Sequence, residues 1–404
     1  MKIYAPKSYQ EYIEHNVKDL TKRTDIKIEK YPGAVLLADP LNETCGAFDR
    51  DLNFIDASLC YSAHRHQRIP KPPRASKIIM SDDDAVYCGH GVFQHFGHFL
   101  LEGMNRIYPF LDVKYKNAKF VFCPSKKVGT IPNYVIEFLT MFGIPVENIV
   151  VLKQPTRFRN VYVPRQAYNL HRWTSDAQTK TYAEIAKNAP DNGKHEKIYM
   201  SRARLGQRRT YGEEKIQQIF AKNGYTIVYP EQISLAQQIG YVKNCKYLAG
   251  CAGTALHLAA FMPAGGTVIQ LKRNTTMVHP ELDDNAAAQE LINRTSGQKF
   301  ILIWASTEAA PSIHCTNQPQ IIGVNEYLKK FLDDNGFKYS SDDITPNNTE
   351  IEQYNAELAT WHVRTKKTTV KRIARALIRF VCIFVPGRAR RTAVRKYLQG
   401  KCGI

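Results

Sequence analysis

Four ionisable side chains, His95, His98, Glu102 and Arg106, interrupt the apolar segment "VFQHFGHFLLEGMNRIYPFL" (Val92 to Leu111). At about 100° per residue they fall on one helical stripe roughly 80° wide. Phe96, Leu100, Leu101, Met104, Ile107 and Tyr108 cover most of the remaining circumference, the pattern of a buried helix. Burying an unpaired charge costs on the order of several kcal/mol, so such a stripe must face a cleft, a metal or polar partners. Its residue types suit proton transfer. His98 and Glu102, one turn apart, can each act as a base while the other orients it. The structural alternative is a core helix in which the two simply pair. Gly97 and Gly103 are poor helix formers, and Pro109 marks the expected stop.

A second set carries phosphate chemistry. The strand "KIYMS" runs into "RARLGQRR", which supplies Arg202, Arg204, Arg208 and Arg209 at a strand's carboxyl end, where α/β sheets bind ligands. Guanidinium groups bind phosphate through paired, charge-assisted hydrogen bonds. In "YLAGCAGTALHLAAF" (Tyr247 to Phe261), a strand, a small-residue turn and a helix follow one another. Gly250, Ala252 and Gly253 permit close backbone approach. Thr254 is the expected N-cap, and the helix start offers unpaired N–H groups to an anion. The stretch is neither a G-x-G-x-x-G fingerprint nor a Walker loop. Glu231, after the strand "YTIVYP", can accept from ribose or sugar hydroxyls. Metal readings are poorer. "HRH" at 64–66 and "CGH" at 88–90 lack partners at zinc spacing, and "SDDDA" at 81–85 lacks the rest of a calcium loop.

These residues need two scaffolds. From Met1 to about Asp191, strands at Ala34–Ala38, Lys77–Met80, Ala118–Cys123, Asn148–Leu152 and Asn160–Pro164 mix with an opening helix and a helix at Asn133–Gly143. The turn-rich "NAPDNGKHE" (Asn188 to Glu196) is the expected boundary. Beyond it strands and helices alternate with short connections, which predicts a parallel sheet wound by helices. "FILIWAS" (Phe300 to Ser306) adds a strand, and Asp333–Gln353 reads as a polar connector. The division expected is 1–190, 191–345 and a connector with tail at 346–404.

The chain has 404 residues and a net charge of +19. Between Arg364 and Ile404 lie thirteen Lys or Arg and no Asp or Glu, leaving +6 for the rest. The basicity is thus a property of the tail, which argues against a nucleic-acid-binding surface. In "VKRIARALIRFVCIFV", Val370, Ile373, Ala376, Leu377, Phe380, Val381 and Phe384 recur at helical spacing opposite Lys371, Arg372, Arg375 and Arg379. Pro386 and Gly387 interrupt the pattern before "RARRTAVRKYL". Such a helix suits an anionic membrane surface, reached here through residues 370–398. Nine dispersed cysteines without a C-x-x-C pair fit reduced thiols. The N-terminus shows no apolar signal core, and no run approaches the ~18 apolar residues of a membrane span. The expectation is a cytoplasmic protein, peripheral at the inner face of the cell membrane.

"FGHFLLEGMNRIYPF" resembles the H-[FW]-x-x-E segment of glycosyltransferase family 61, once described as capsular polysaccharide biosynthesis proteins. "KIYMSRARLGQRR" and the block from Gly224 to Leu271 resemble that family's C-terminal motifs, in order. The resemblance implies an α/β, GT-B-like fold: two Rossmann-like domains facing across a cleft, followed here by the basic amphipathic tail. It implies inverting, metal-independent sugar transfer from a nucleotide-sugar donor to a glycan or lipid-linked acceptor in surface polysaccharide biosynthesis, without a cofactor. Carried over by position, Ser201, Arg202, Glu231 and Gly253 to His257, including Thr254, fall on the donor side, with Arg204 and Arg208 assisting. His98 and Glu102 take the catalytic positions, with His95 and Arg106 beside them on the acceptor side. Many relatives carry His where this chain has Ala252. Competing classes are polysaccharide pyruvyl- or sugar-phosphate transferases and a non-catalytic membrane-bound assembly scaffold.

Overall fold

The computed structural model describes residues 1–39, 44–62, 65–66, 69–91, 95–124, 131–170, 172–206, 209–273, 284–307, 318–383 and 388–401. The fold is α/β. The chain opens with β1 (Lys2–Tyr4) and α1 (Lys7–Val17). There follow β2 (Ile28–Pro32), β3 (Val35–Asp39), β4 (Thr44–Phe48), β5 (Ile79–Gly91), β6 (Lys119–Pro124), α2 (Asn133–Met141), β7 (Ile149–Val151) and β8 (Thr156–Pro164). β2 to β8 build a seven-stranded sheet ordered β7-β6-β5-β8-β3-β4, with β2 also on β8. Its β7-β6-β5-β8 part is parallel, whereas β2, β3 and β4 join antiparallel. β5 takes in the end of the expected strand at 77–80 and the acidic run "SDDDA", so those aspartates lie within a strand, Asp82 and Asp83 at its irregularity, and not in a loop.

After α3 (Asp176–Asn188) come β9 (Lys197–Met200), α4 (Glu213–Lys222), β10 (Thr226–Val228), α5 (Leu235–Val242), β11 (Tyr247–Cys251), β12 (Thr267–Lys272), α6 (Asp284–Ser296), β13 (Lys299–Trp304) and α7 (Glu326–Asp334). Their sheet is wholly parallel, in the order β1-β13-β12-β11-β9-β10. Local chemistry sets the helix limits. Ser234 and Gln237 form a reciprocal capping box at the start of α5. Gly212, at φ +78°, leads into α4, where any Cβ would strike the Ile322 carbonyl.

The first strand departs from the expected division. Lys2, Ile3 and Tyr4 pair with Ile301, Leu302 and Ile303, so the chain's first residues extend the second sheet. A three-residue strand carries too little periodicity to be read in isolation. The two sheets also share one hydrophobic core. Phe99, Phe138, Leu139 and Tyr182 of the first half are continuous with Ile239, Leu256, Leu258 and Phe261 of the second. The Phe261 ring centroid lies 5.8 Å from that of Phe138 and 5.4 Å from that of Tyr182. Burying each such side chain contributes about 1.5–3 kcal/mol. Glu137 Oε1 on α2 accepts from the Ala236 N–H at the start of α5, 3.1 Å away. The halves are therefore joined through this core.

The tail forms α8 (Asn348–Ile383) and α9 (Arg388–Lys401), which pack on each other. Among the described residues, no helix is long and apolar enough to cross a membrane.

Candidate functional site

The segment around His98 is not the regular helix its periodicity predicts. One α-turn (Phe96–His98) passes into a π-turn (Phe99–Gly103), closed by the Met104 N–H donating to the Phe99 carbonyl at 3.1 Å. A 3-10 turn follows at Tyr108–Leu111. Wide turns of this kind re-aim side chains and recur at functional sites. Residues 92–94 lie outside the described ones.

The turn keeps three of the four stripe residues together. His98 Nδ1 and Glu102 Oε2 are 2.6 Å apart. The His98 side chain retains 45 % exposure and that of Glu102 only 11 %, so the imidazole meets solvent and the carboxylate stands behind it. Donation from Nδ1–H to the carboxylate puts the neutral ring's lone pair on Nε2. Exposed His95 accepts from the His98 backbone N–H through Nδ1 at 3.4 Å, and the two rings meet edge to face at 4.7 Å. Glu102 Oε1 is buried and has no hydrogen-bond partner among the described residues. The Tyr168 hydroxyl is in the same condition. Burial pushes that phenol well above its ordinary pKa, with the Tyr182 and Glu102 charges adding to the effect. Asn105 holds the Tyr168 segment, donating to the Tyr168 carbonyl at 3.1 Å and accepting from the Ala167 N–H at 2.9 Å. Neither Tyr168 nor Asn105 carries a sequence signal marking it for the site.

Arg106 parts from the stripe. It is 1 % exposed. Its guanidinium donates to the Ala57 carbonyl at 3.0 Å, to Leu59 at 2.8 Å and to Pro164. Those bonds fasten two backbone segments, one at Ala57 and Leu59 and one at Pro164.

The second set sits at the carboxyl ends of the parallel strands. Arg202 follows β9, and the Gly253 turn follows the neighbouring β11. Gly253 has φ +155°, and a Cβ there would lie 3.1 Å from Arg202 Nη1. Gly253 is itself the cap, and Thr254 opens a 3-10 helix (Thr254–Phe261) as its first residue, in place of the expected N-cap role. Ser201 is fully buried and accepts from the Ala203 N–H at 3.1 Å, so it shapes the turn that presents Arg202. Arg204 lies over the Tyr229 ring at 3.9 Å and reaches Gln232 Oε1 at 3.4 Å. Glu231 is exposed on the adjoining 3-10 turn after β10. His257 is buried, with Nδ1 3.0 Å from Gln289 Oε1 on α6, facing that helix. Arg209 stacks over Tyr211 at 4.6 Å. Arg208 lies outside the described residues.

One contact joins the two sets. A Cβ at Gly97 would overlap the Thr254 methyl group. The His98–Glu102 turn thus abuts the turn that Arg202 touches, and the chain distant in sequence converges here. Among the described residues, no group of three or more His, Cys, Asp or Glu is arranged to hold a metal ion.

Residues 96–269 match the family model described as Glycosyltransferase 61. Over that stretch the chain is similar to the glycosyltransferase 61 family. The matched segment begins one residue after His95 and encloses the His98–Glu102 turn, Arg202 and the Gly253 turn. No curated protein matches the chain.

Proposed function

We propose that this chain is an inverting, metal-independent glycosyltransferase of GT-B-like architecture. It moves a sugar from a nucleotide donor to a glycan or lipid-linked acceptor in surface polysaccharide assembly. The observation that carries the reading is the Gly97–Thr254 contact, which sets a proton-transfer pair against a phosphate-type turn. His98, backed by Glu102, takes the acceptor hydroxyl proton through Nε2, as a carboxylate-oriented imidazole does in hydrolytic triads. The acceptor oxygen attacks the anomeric carbon from the face opposite the nucleotide, and the sugar–phosphate bond breaks. Arg202 and the Gly253 turn neutralise charge gathering on the departing diphosphate. Glu231, two strands along the same sheet edge, is placed for ribose hydroxyls. The tail α8–α9 brings this chemistry to the inner leaflet, where a lipid-linked acceptor resides.

A thermal-shift screen of nucleotide sugars tests the reading. A donor stabilises the folded state according to its occupancy, by about 2.7 kcal/mol at 100 times Kd. The stabilising donor, given acceptor glycans, should release nucleoside diphosphate, and His98→Ala should cut turnover about 10²–10⁴-fold while donor stabilisation persists. Full turnover in His98→Ala refutes the catalytic assignment.

A further inference from the structure

Cysteines scattered along the first half of the chain meet around one phenol. Cys45 Sγ lies 3.1 Å from the Tyr87 hydroxyl oxygen, and Cys60 Sγ lies 3.7 Å from the same atom. The backbone makes room for this meeting. The register between β5 and β6 shifts between Tyr87 and Gly89, and Gly89 adopts φ +73°. A Cβ there would lie 2.7 Å from Cys60 Sγ and 3.5 Å from Arg106 Nε. Cys60 and Arg106 thus share the space above Gly89. Arg106 also holds the backbone just before Cys60, through the Ala57 and Leu59 carbonyls. A third thiol is near: Cys123 Sγ, on β6, lies 3.7 Å from the Leu37 carbonyl of β3. Cys45 and Cys123 are fixed in strand ladders, whereas half-buried Cys60 follows a 3-10 turn (Asp56–Ser58). Burial lifts the Cys45 thiol, but hydrogen bonds from Cys123 and Cys60, with the charge of His90, carry it well below its ordinary pKa. A thiolate is the reactive form of cysteine.

We infer that Cys45 and Cys60 are a reversible redox pair, closed by a hydroperoxide, whose closure draws the 57–60 segment off Arg106 and loosens the His98–Glu102 turn. The Cys45 thiolate attacks one peroxide oxygen. The O–O bond breaks, and the displaced hydroxide takes up the proton that Cys45 shed. The Cys60 sulfur then attacks the sulfur of the resulting Cys45 sulfenic acid. The S–S bond forms, the S–O bond breaks, and hydroxide leaves with the Cys60 proton as a second water. The two thiols have given two electrons to the peroxide, and a dithiol returns them by exchange. Both sulfurs rest on Tyr87, so bonding at about 2.05 Å requires one of them to move. Cys60 is the one outside a strand, and its movement displaces the carbonyls that Arg106 holds, four residues past Glu102. The effect on turnover rests on the proposed glycosyltransferase reading; the bridge itself does not.

Hydrogen peroxide treatment of the full chain, then alkylation of the remaining thiols and non-reducing peptide mapping, tests the pair. The map should show Cys45 joined to Cys60, lighter by two hydrogens, and dithiothreitol should undo the link. Hydrogen exchange over residues 96–106 should speed up with the link and recover on reduction. Turnover should fall about 10²-fold, the scale of a catalytic group displaced by about an ångström. Cys60→Ser should keep its turnover when reduced and resist peroxide; if it does not fold, the wild-type map and exchange still decide. No link, Cys45 joined to Cys123 instead, or oxidation running on to sulfinic acid overturns the pair. A Cys45–Cys60 link that leaves exchange at 96–106, or the turnover of an active chain, unchanged overturns the switch. A link with faster exchange, in a chain that turns over no nucleotide sugar, sustains the pair and sinks only the glycosyltransferase reading.

Discussion

At the residue scale, the different exposures of His98 and Glu102 support the roles proposed for them, because a base must meet its acceptor and its orienting group need not. Glu102→Gln separates orientation from charge. The amide oxygen can still accept the Nδ1–H, but no negative charge then stabilises the imidazolium. Turnover should fall about 10²-fold, at the lower end of the range for general-base loss. The double variant should be no slower than His98→Ala, because groups acting as a unit are not additive. Losses that multiply would show that Glu102 does not act through His98. Residue types and spacing made this pair legible in the sequence. They misplaced Arg106 because a stripe drawn at 3.6 residues per turn takes no account of the π-turn at Phe99–Gly103.

At the element scale, one packed contact couples the two motif sets. Strand–helix alternation predicted the parallel second sheet, and the small residues of "GCAGT" announced a tight turn. The sequence did not show that Gly97 is small because Thr254 occupies the space its Cβ would take. It likewise left the 3-10 geometry of Thr254–Phe261 hidden, since TALHLAAF has an apolar composition that suits either helix type. The contact yields a paired prediction. Gly97→Ala forces a methyl into that space, and overpacking a filled site costs about 1–3 kcal/mol. Melting temperature and turnover should both drop. Thr254→Ser deletes the opposing methyl, so Gly97→Ala/Thr254→Ser should recover most of the stability, with a coupling energy of about 0.5–3 kcal/mol. Purely additive destabilisation would mean that the two turns do not touch in solution.

At the scale of the whole molecule, the charge is concentrated where the chain leaves the α/β body. The amphipathic pattern from Val370 onward was readable because it obeys a single helical period over several turns. Its packing partner was not readable, since α9 lies beyond the Pro386–Gly387 interruption of the pattern. In the structure Ile378 and Cys382 are buried, whereas Ile373, Leu377 and Phe380 remain 56–60 % exposed. Those three recur at i, i+4 and i+7, so α8 presents a continuous apolar line in a tail segment with thirteen Lys or Arg and no acid after residue 363. Exposed apolar side chains amid such charge suit a lipid surface, where each basic residue near anionic headgroups contributes about 1 kcal/mol. The full chain should pellet with vesicles rich in phosphatidylglycerol and much less with neutral ones or in high salt. Deleting residues 370–404 should abolish pelleting while turnover of a soluble acceptor is preserved. Replacing Ile373, Leu377 and Phe380 by serine should weaken pelleting yet leave its salt dependence, because the apolar and electrostatic contributions are separate. Equal pelleting with and without the tail would remove the membrane role. Loss of a dimer in light scattering on the same triple substitution, with pelleting unchanged, would reassign the apolar line to a second copy of the chain.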